Sequence, residues 1–317
     1  MTNKLIFYFL LIIFGNNNAI GQDTNIQLIE QYVNMAQVRL PEKMPDSLNI
    51  INRTKTIKEI IRYIRTLNEP KKICSAFYLL NDVNMLTMGG SMETMDSIGI
   101  EIADLNAEYL FFPSIDVAVT AAGTIKILPL EIFSDKTKNM VFHKFVDDTL
   151  KFPYYLWQFS GVIASLELKG TIPYLKKRLN LPEPDPYLTS YFLTEQWRIQ
   201  TLLAKLGDPD AIKFTSKKIK KQLRKKDCEY DRLICKLLYI RQKESMSILI
   251  NEMDKKSSLK CDYRTKSRLV TATLFANISN IPKEIIDLPQ HINNDPYRRK
   301  KLKQWLIKTP LNQIKFK

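Results

Sequence analysis

Apolar side chains recur along this chain at the spacing of an α-helix. The pattern is clearest between Thr54 and Leu67, where isoleucine and leucine follow one another at intervals of three and four residues, with lysine and arginine between them: Ile57, Ile60, Ile61, Ile64 and Leu67. This spacing places the apolar side chains on one face of a helix and the basic ones on the other. The segment is therefore predicted to be an amphipathic helix.

The sequence also marks where helices begin. Aspartate followed by proline occurs three times in the second half of the chain: Asp185-Pro186, Asp208-Pro209 and Asp295-Pro296. The aspartate can cap the first turn, and the proline fits the first helical position because its missing N–H would be unpaired there anyway. Three such starts predict several short helices. The proline-rich stretch 181–186 predicts a loop between them and is the best internal boundary.

Short segments recur along the chain. Cys228-Glu229-Tyr230 and Cys261-Asp262-Tyr263 share a Cys-acidic-Tyr opening, and each leads into an amphipathic helix pair. Tyr297 continues the series at nearly the same interval, and Tyr154 with Tyr187 or Tyr191 extends it more loosely, at intervals of about 33 to 43 residues. A two-helix unit of this length buries one of its sides only, so neighbouring units must stack and polar caps must close the ends.

Three segments resemble HEAT-like repeats of the armadillo type. Residues 203–212, Leu-Ala-Lys-Leu-Gly-Asp-Pro-Asp-Ala-Ile, are similar to the junction between the two helices of such a repeat. Residues 164–175 are a degenerate version without Asp-Pro, and residues 113–122 resemble the opening of a first helix. The resemblance covers mainly residues 113–290. It implies an all-α fold, a right-handed superhelical stack of antiparallel helix pairs, and it implies nothing about chemistry.

A local alternative concerns residues 117–128. Val117 and Val119 alternate with small or polar residues and Gly123 could turn the chain, a pattern that also fits a β-hairpin. Pro113 and Asp116, which lie just before or at its start, favour a helix. Glycine is scarce in the whole chain, at 9 residues, which favours helices over folds that need many positive-φ turns.

The first residues are typical of an export signal. Lys4 precedes the apolar run Leu5–Phe14, and the small-x-small sequence 19–21 precedes Gln22. The apolar run of about ten residues is short for an uncleaved membrane anchor, which needs about twenty. The expected organisation is a signal peptide over 1–21 with cleavage near Gly21-Gln22, an N-terminal helical region and cap over 22–112, HEAT-like repeats over 113–290, and a C-terminal basic helix or cap over 291–317. The mature protein is expected in the periplasm or secreted.

Cysteine and histidine are too few and too scattered for common metal sites. The four cysteines lack CxxC spacing, and the two histidines, His143 and His291, form no HExxH motif. The cysteines are expected to be buried free thiols, with one disulfide as the alternative, because their spacing does not suit pairing; they are Cys74, Cys228, Cys235 and Cys261. No cofactor and no metal ion is expected.

Signatures of catalysis are missing as well. The sequence contains no GxSxG elbow, phosphate-binding P-loop or GxGxxG fingerprint. Carboxylates occur in pairs at Asp147-Asp148 and at Glu183 with Asp185, but adjacent aspartates on a helix diverge by about 100° and cannot face one substrate together. The chain is therefore expected not to be an enzyme.

Positive charge is the strongest surface signal, with a net charge of +15. Two basic clusters are candidate sites for an anionic partner: Lys213, Lys217, Lys218, Lys220, Lys221, Arg224, Lys225 and Lys226 in the first, and Arg298, Arg299, Lys300 and Lys301 in the second. The alternative is that these residues simply solvate an outer helix face. Nucleic acid fits the charge but not the expected compartment.

These observations predict an extracytoplasmic interaction module that presents a helical-repeat surface to a protein or peptide partner. The second hypothesis is a binder of an anionic polymer or surface, such as an acidic polysaccharide or lipid headgroups, through residues 213–226. Oligomeric state and the identity of the partner are outside what the sequence determines.

Overall fold

The structure, a computed structural model, describes residues 23–36, 53–85, 96–128, 130–149, 153–181, 194–224, 229–256, 265–288 and 296–316. These residues form fifteen α-helices and three short 3-10 helices, and they contain no β-strand; Ile278 and Phe316 form an isolated antiparallel bridge. The predicted all-α class is confirmed. The chain divides into two compact units, Met1–Asp147 (unit 1) and Asp148–Lys317 (unit 2).

Unit 1 is built from successive helices that pack in two layers. In chain order the helices are α1 (Asp23–Ala36), α2 (Arg53–Thr66), α3 (Pro70–Met85), α4 (Asp96–Tyr109), α5 (Ile115–Ile127) and α6 (Asp135–Thr149), whose last turn reaches the boundary of the unit. Helix α1 contacts α2 and α3, α2 contacts α3 and α4, and α5 contacts α3 and α4. Helices α1, α3 and α5 thus lie side by side, and α2 and α4 form the second layer.

The amphipathic helix predicted near residue 54 is α2. Its four isoleucines are buried, with at most 2% of each side chain exposed. On its outer side Lys58 forms an ion pair with Glu101 of α4 at 3.3 Å, and Arg65 donates to both carboxylate oxygens of Glu108 at 3.1 and 3.3 Å. The apolar face therefore enters the core of unit 1, while the basic face is partnered by the acidic residues of α4.

Contacts in the two layers of unit 1 have a common register. Arg65 and Glu108, which join α2 to α4, are 43 residues apart in the chain. Asn81 and Thr124, which join α3 to α5 through a hydrogen bond of 2.9 Å, are also 43 residues apart. Both layers therefore step forward by the same length of chain, as expected when one helix pair follows another.

The alternative β-hairpin over residues 117–128 is wrong, because residues 117–127 belong to α5 and Leu128 is its C-cap. Val117, Ala118, Ala121, Ala122 and Ile125 are buried, each at most 1% exposed. Their spacing of three and four residues is helical, and it outweighs the short alternation at Val117 and Val119.

Unit 2 repeats the two-layer packing. Its helices are α7 (Pro153–Ser165), α8 (Ile172–Leu179), α9 (Glu195–Lys205), α10 (Pro209–Leu223), α11 (Tyr230–Ile240), α12 (Lys243–Glu252), α13 (Lys266–Asn277), α14 (Lys283–Ile286) and α15 (Pro296–Lys308). Helices α7, α9, α11 and α13 contact one another in sequence and form the first-helix layer. Helices α10, α12 and α15 contact one another in sequence and form the second-helix layer.

The helix start predicted at Asp208-Pro209 is confirmed. Asp208 is the N-cap of α10, and its Oδ1 accepts a hydrogen bond of 3.0 Å from the backbone N–H of Ala211. Its Oδ2 forms an ion pair of 2.6 Å with Lys176 of α8. Helix α15 begins at the predicted Pro296, whereas Asp295 and the start at Asp185-Pro186 lie outside the described residues.

A charged side chain in the interior of unit 2 connects four helices. Lys266 of α13 is 5% exposed, and its Nζ donates to the backbone oxygen of Leu223, at the end of α10. The same Nζ lies 4.7 Å from the ring centre of Tyr230 on α11, whose hydroxyl donates to Glu252 of α12 at 2.9 Å. Burial, and secondly the charge of Glu252, raise the pKa of Tyr230. The phenol therefore remains a neutral donor.

The expectation of buried free thiols holds only in part. Cys74 and Cys235 are both free thiols, but Cys74 is half-buried and Cys235 is exposed. On α11 the buried positions are taken by Leu233, Ile234 and Leu237, so Cys235 falls on the outer face. Cys228 and Cys261 lie outside the described residues, as does the expected signal peptide. None of the described helices is both long and apolar enough to cross a membrane.

Two glycine-to-alanine substitutions should change stability in opposite directions. Gly123 lies inside α5 with no atom within 4 Å of an added Cβ, so Gly123→Ala should raise the free energy of unfolding by about 0.5–1 kcal/mol. Gly207 has a φ of +94°, so Gly207→Ala should lower it by about 1–2 kcal/mol although the space is open. Urea unfolding followed by circular dichroism measures both. A destabilised Gly123→Ala variant would contradict a helix at this position.

The cap of α10 can be tested in the same way. Asp208→Ala removes the acceptor for the Ala211 N–H and the partner of Lys176, and it should lower the free energy of unfolding by about 1–2 kcal/mol. Asp210→Ala is the matched control, because the Asp210 side chain is 93% exposed and lies 3.8 Å from the same lysine. The control should change stability by less than about 0.5 kcal/mol. Equal effects of the two substitutions would contradict the role of Asp208.

Candidate basic surface and turn cleft

The first basic cluster forms one face of α10. Helix α10 buries Ala211, Thr215, Ile219 and Leu223, which are spaced four residues apart, against the rest of unit 2. The opposite side consists of exposed cations, namely Lys213, Lys217, Lys218, Lys220, Lys221 and Arg224. We call these six residues the basic face. Lys225 and Lys226 lie outside the described residues.

The basic face has few acidic neighbours. Lys213, Lys217, Lys220 and Lys221 form no ion pair with any described residue, whereas Lys176 and Arg178 of α8 are paired with Asp208 and Glu195. The carboxylates of this part of unit 2 thus neutralise α8 and leave the lysines of α10 to solvent. Such a row of charge attracts anions over a distance of about a Debye length, roughly 8–10 Å at physiological salt.

In the second basic cluster, the two arginines contact neighbouring segments of the protein, unlike the exposed cations of the first cluster. Arg298 stacks on the ring of Phe275 at 4.1 Å and donates to the backbone oxygens of Ile285 and Ile286, which end α14. Arg299 donates to the hydroxyl of Ser267 at 3.1 Å. Both arginines therefore hold α15 against its neighbours. Lys300 and Lys301 are exposed at the surface of the same helix.

An apolar groove with basic edges lies between α12 and α15. It has a volume of ≈ 740 Å³, and its apolar walls include Met246, Ile250, Leu306 and Ile307. Ile307 is 62% exposed, an unusual position for a large apolar side chain. Three lysines also line the groove, namely Lys243, Lys303 and Lys308. Because α10 contacts α12, the groove and the basic face belong to the same second-helix layer.

The first-helix layer ends in a series of similar turns. Glu167 follows α7, Gly207 follows α9 and Arg241 follows α11, and all three have a positive φ, of 50°, 94° and 54°. After α7 the N–H of Leu168 donates to the oxygen of Ile163, and after α9 the N–H of Asp208 donates to the oxygen of Leu203, at 3.1 and 3.0 Å. Each helix is therefore closed by a left-handed residue that satisfies its last carbonyl groups.

These turns line one cavity, which we call the turn cleft. It has a volume of ≈ 650 Å³ and includes residues from all three turns, among them Glu167, Lys169, Lys205, Arg241 and Gln242. Gln242 holds two of the turns together, because its Nε2 donates to the backbone oxygen of Lys205 at 3.2 Å. The cleft therefore lies where successive helix pairs of unit 2 meet.

The C-terminal segment forms the remaining wall of the turn cleft. After α15 it contains a 3-10 helix, Leu311–Gln313, and then pairs with the end of α13 through the bridge between Ile278 and Phe316. The N–H of Ser279 donates to the oxygen of Lys315 at 2.8 Å. This pairing places the Phe316 ring 4.4 Å from the Arg241 guanidinium.

Lys205 is the titratable group most affected by this environment. Burial, and then the positive charge of Arg241, lower its pKa from an ordinary value of 10.5 to about 8. The negative charge of Glu167 raises the pKa, but its effect is the smallest of the three. Burial also lowers the pKa of Arg241. The turn cleft thus holds two cations that are partly removed from water, and the charge of Arg241 disfavours that of Lys205.

Sequence reasoning missed the turn cleft. Lys205 lies within the junction sequence 203–212 that resembles a HEAT-like repeat, but the sequence gives no sign that this lysine is partly buried. A signal was nevertheless present. Stacked repeats bring equivalent turns together, so charged residues in successive turns, such as Lys169, Lys205 and Arg241, are expected to converge.

In the described part of the chain, the histidines, cysteines and carboxylates considered above form no common site. His143 is exposed and stands edge-on to Phe142, with ring centres 5.2 Å apart, and His291 lies outside the described residues. Within the described part of the chain, no group of three or more His, Cys, Asp or Glu side chains could hold a metal ion. Asp147 and Asp148 end α6, and Glu183 and Asp185 are not described.

The lowered pKa of Lys205 predicts a pH-dependent stability. The folded protein binds this proton less tightly than the unfolded chain, so the charge costs stability below pH 8, and the cost disappears as pH rises from about 8 to 10.5. Lys205→Met should therefore be more stable than the parent at pH 7 and equally stable near pH 11. Urea unfolding at both values tests this. A variant less stable at pH 7 would contradict it.

Comparisons with known proteins give no match from which a function could be inferred. No family model, curated protein or solved structure matches this chain. The arguments for its function are therefore the packing of the helices, the distribution of charge, and the two cavities of unit 2.

Proposed function

We propose that this chain is an exported, non-catalytic interaction module of the HEAT-like α-solenoid kind, which presents its second helices to a protein or peptide partner. The observation that carries the proposal is the repeated packing in each unit, where α2 lies beside α4 in unit 1 and α10, α12 and α15 lie side by side in unit 2. Stacked helix pairs of this kind form extended surfaces that suit the binding of another chain.

Details of register and turn geometry support repetition. In unit 1 one contact in each layer, Arg65 with Glu108 and Asn81 with Thr124, joins residues 43 positions apart. In unit 2 three first helices are followed within two residues by a residue with a left-handed backbone. The Leu-Gly-Asp-Pro junction at residues 206–209 provides such an end followed at once by a capped helix. These features are what a two-helix repeat requires, because each pair must present the same faces to its neighbours.

The second-helix layer of unit 2 is the part best suited to a partner. Its groove between α12 and α15 offers apolar walls, including the exposed Ile307, and is also lined by Lys243 and Lys308 and by Lys303, which is paired with Asp254. The basic face of α10 lies on the same layer. An acidic segment with some apolar side chains would satisfy both features, since apolar contacts supply affinity and charge directs the approach. We therefore propose an acidic amphipathic peptide or protein segment as the partner.

A second candidate function, binding of an anionic polymer or lipid surface, rests on the basic face alone. Six cations on one exposed helix face form a contact that requires no apolar groove. The two candidates differ in the residues they need. The affinity for an anionic polymer should depend on the lysines of α10 and on the salt concentration. Substitutions in the walls of the groove should not change it.

The two candidates can be separated with two variants. The first removes four charges from the basic face, by replacing Lys213, Lys217, Lys220 and Lys221 with Gln. The second, Ile307→Glu, places a negative charge in the groove at a site that is already 62% exposed. Each is titrated against a fluorescent peptide of leucine and glutamate, its leucine and lysine counterpart, heparin, and vesicles of anionic lipid.

We expect the acidic peptide to bind the parent chain and the basic peptide not to bind. The four-lysine variant should weaken acidic peptide binding about tenfold at low salt, and Ile307→Glu should weaken it by a similar factor. The matched control replaces four exposed lysines elsewhere, Lys71, Lys136, Lys255 and Lys256, with Gln. Binding of heparin or vesicles that is unaffected by Ile307→Glu, without binding of the acidic peptide, would favour the second candidate and reject the first.

A further inference from the structure

We propose that the end of α13 is a docking site for an extended peptide segment of a partner, and that the C-terminal segment, residues 311–316, occupies this site until the partner displaces it. The partner segment has apolar side chains at alternate positions, as Ile314 and Phe316 are placed around Lys315. The proposal does not rest on the acidic partner of the groove, because the residues that hold the segment, Ser279 and Asn280, lie outside the walls of the groove.

The residues that follow α13 hold the C-terminal segment by its main chain. The Asn280 amide bonds in both directions, because its Nδ2 donates to the oxygen of Gln313 and its Oδ1 accepts from the N–H of Lys315, both at 2.8 Å. The N–H and the hydroxyl of Ser279 donate to the oxygen of Lys315, at 2.8 and 3.1 Å. These hydrogen bonds recognise a peptide backbone, and none of them requires a particular side chain on the bound segment.

Side-chain selection in this site falls on two alternate positions. Ile314 has an extended backbone and is only 7% exposed. Phe316 forms an antiparallel bridge with Ile278, and its ring lies 4.4 Å from the Arg241 guanidinium. Lys315, between them, is exposed. Because residues two apart in an extended chain face the same side, the site accepts an apolar, polar, apolar sequence.

The C-terminal segment is held less firmly than the helices around it. Of residues 311–316, Ile314 is the only one that is buried. Cavities lie on both sides of the segment, since Leu311 and Ile314 line both the turn cleft and the groove between α12 and α15. A segment with few buried contacts opens at a lower free energy than the core. Its departure removes the walls that the two cavities share and makes room for another extended chain.

A covalently attached segment competes strongly with a free one. When the connection is short, the effective concentration of the attached segment is about millimolar. Here α15 ends at Lys308, so only Thr309 and Pro310 connect it to the segment. The contact is therefore autoinhibitory: a free peptide with the same sequence binds the parent chain weakly, and a partner must make additional contacts to take the place of the segment.

The experiment uses the full chain and a fluorescein-labelled peptide with the sequence of residues 309–316, titrated by fluorescence anisotropy. Ile314→Glu places a charge at a buried position of the C-terminal segment and should release it while Ser279 and Asn280 remain. This variant should bind the peptide at least about tenfold tighter than the parent chain does. Lys315→Glu is the matched control, because it adds the same charge to an exposed side chain of the same segment. It should bind the peptide as weakly as the parent, within about twofold.

Variants of the receiving site identify the contact. In the Ile314→Glu chain, the additional substitution Asn280→Ala removes two hydrogen bonds to the peptide and should weaken binding by about tenfold or more. Asn277→Ala is the control, because the Asn277 side chain bonds within its own helix, to the oxygen of Thr273. Equal peptide affinity after the two substitutions would overturn the proposal.

A modified peptide tests the same contact from the other side. Methylation of the backbone nitrogen of Lys315 removes the donor to Asn280 and leaves every side chain of the peptide unchanged. The methylated peptide should bind the Ile314→Glu chain about tenfold more weakly than the unmodified one. If both peptides bind equally, the backbone is not what the site recognises.

Hydrogen exchange of the parent chain, followed by NMR, decides the question without any variant. The N–H of Lys315 should be at least about 100-fold less protected than the amides of α11, because the segment opens without the helices. Equal protection would mean that the segment leaves only when unit 2 unfolds, and it would reject the proposal. The proposal is also rejected if the Ile314→Glu chain keeps its helical circular dichroism spectrum but fails to bind the peptide at millimolar concentration.

Discussion

Helices in both units have an apolar face wider than one neighbour can cover, and the packing within each unit follows from that constraint. Helix α3 packs against α1, α2 and α5, and α9 packs against α7, α8, α10 and α11. Such packing buries Phe77 of α3 and Trp197 of α9 almost completely. Since apolar burial is the main favourable term in folding, a helix pair removed from its neighbours would expose faces that water disfavours.

Much of the helical structure could be predicted from the sequence, because the patterns that mark a helix lie within a few neighbouring residues. The isoleucines of α2 recur with the helical period, and Asp208 with Pro209 marks a helix start that depends on a few neighbouring residues only. Cys235 was misjudged because the facing direction of one small residue depends on the phase of the surrounding leucines. The stack as a HEAT-like superhelix remains a proposal, because sequence periodicity and neighbour contacts do not define its handedness.

The candidate sites were harder to predict from the sequence than the helices, because they combine residues that are far apart in the chain. The exposed lysines of α10 could be found from one stretch of sequence. Lys205, in contrast, acquires its low pKa mainly from burial under the turns, and secondly from the charge of Arg241, which belongs to a different helix pair. Likewise Arg298 looked like part of a surface cluster, yet it packs on Phe275 and closes α14. Composition cannot separate a solvated cation from one that holds two helices together.

The buried Lys266 has a consequence for how unit 2 comes apart. Arrays of helix pairs tend to fray from their ends, since every pair is held by adjacent pairs alone. Here the departure of α13 would leave the backbone oxygen of Leu223 without the ammonium, and the departure of α10 or α11 would remove the carbonyl or the ring that Lys266 contacts. Partial loss of this central block is therefore penalised, and its melting should be more cooperative than that of an array joined by apolar contacts only.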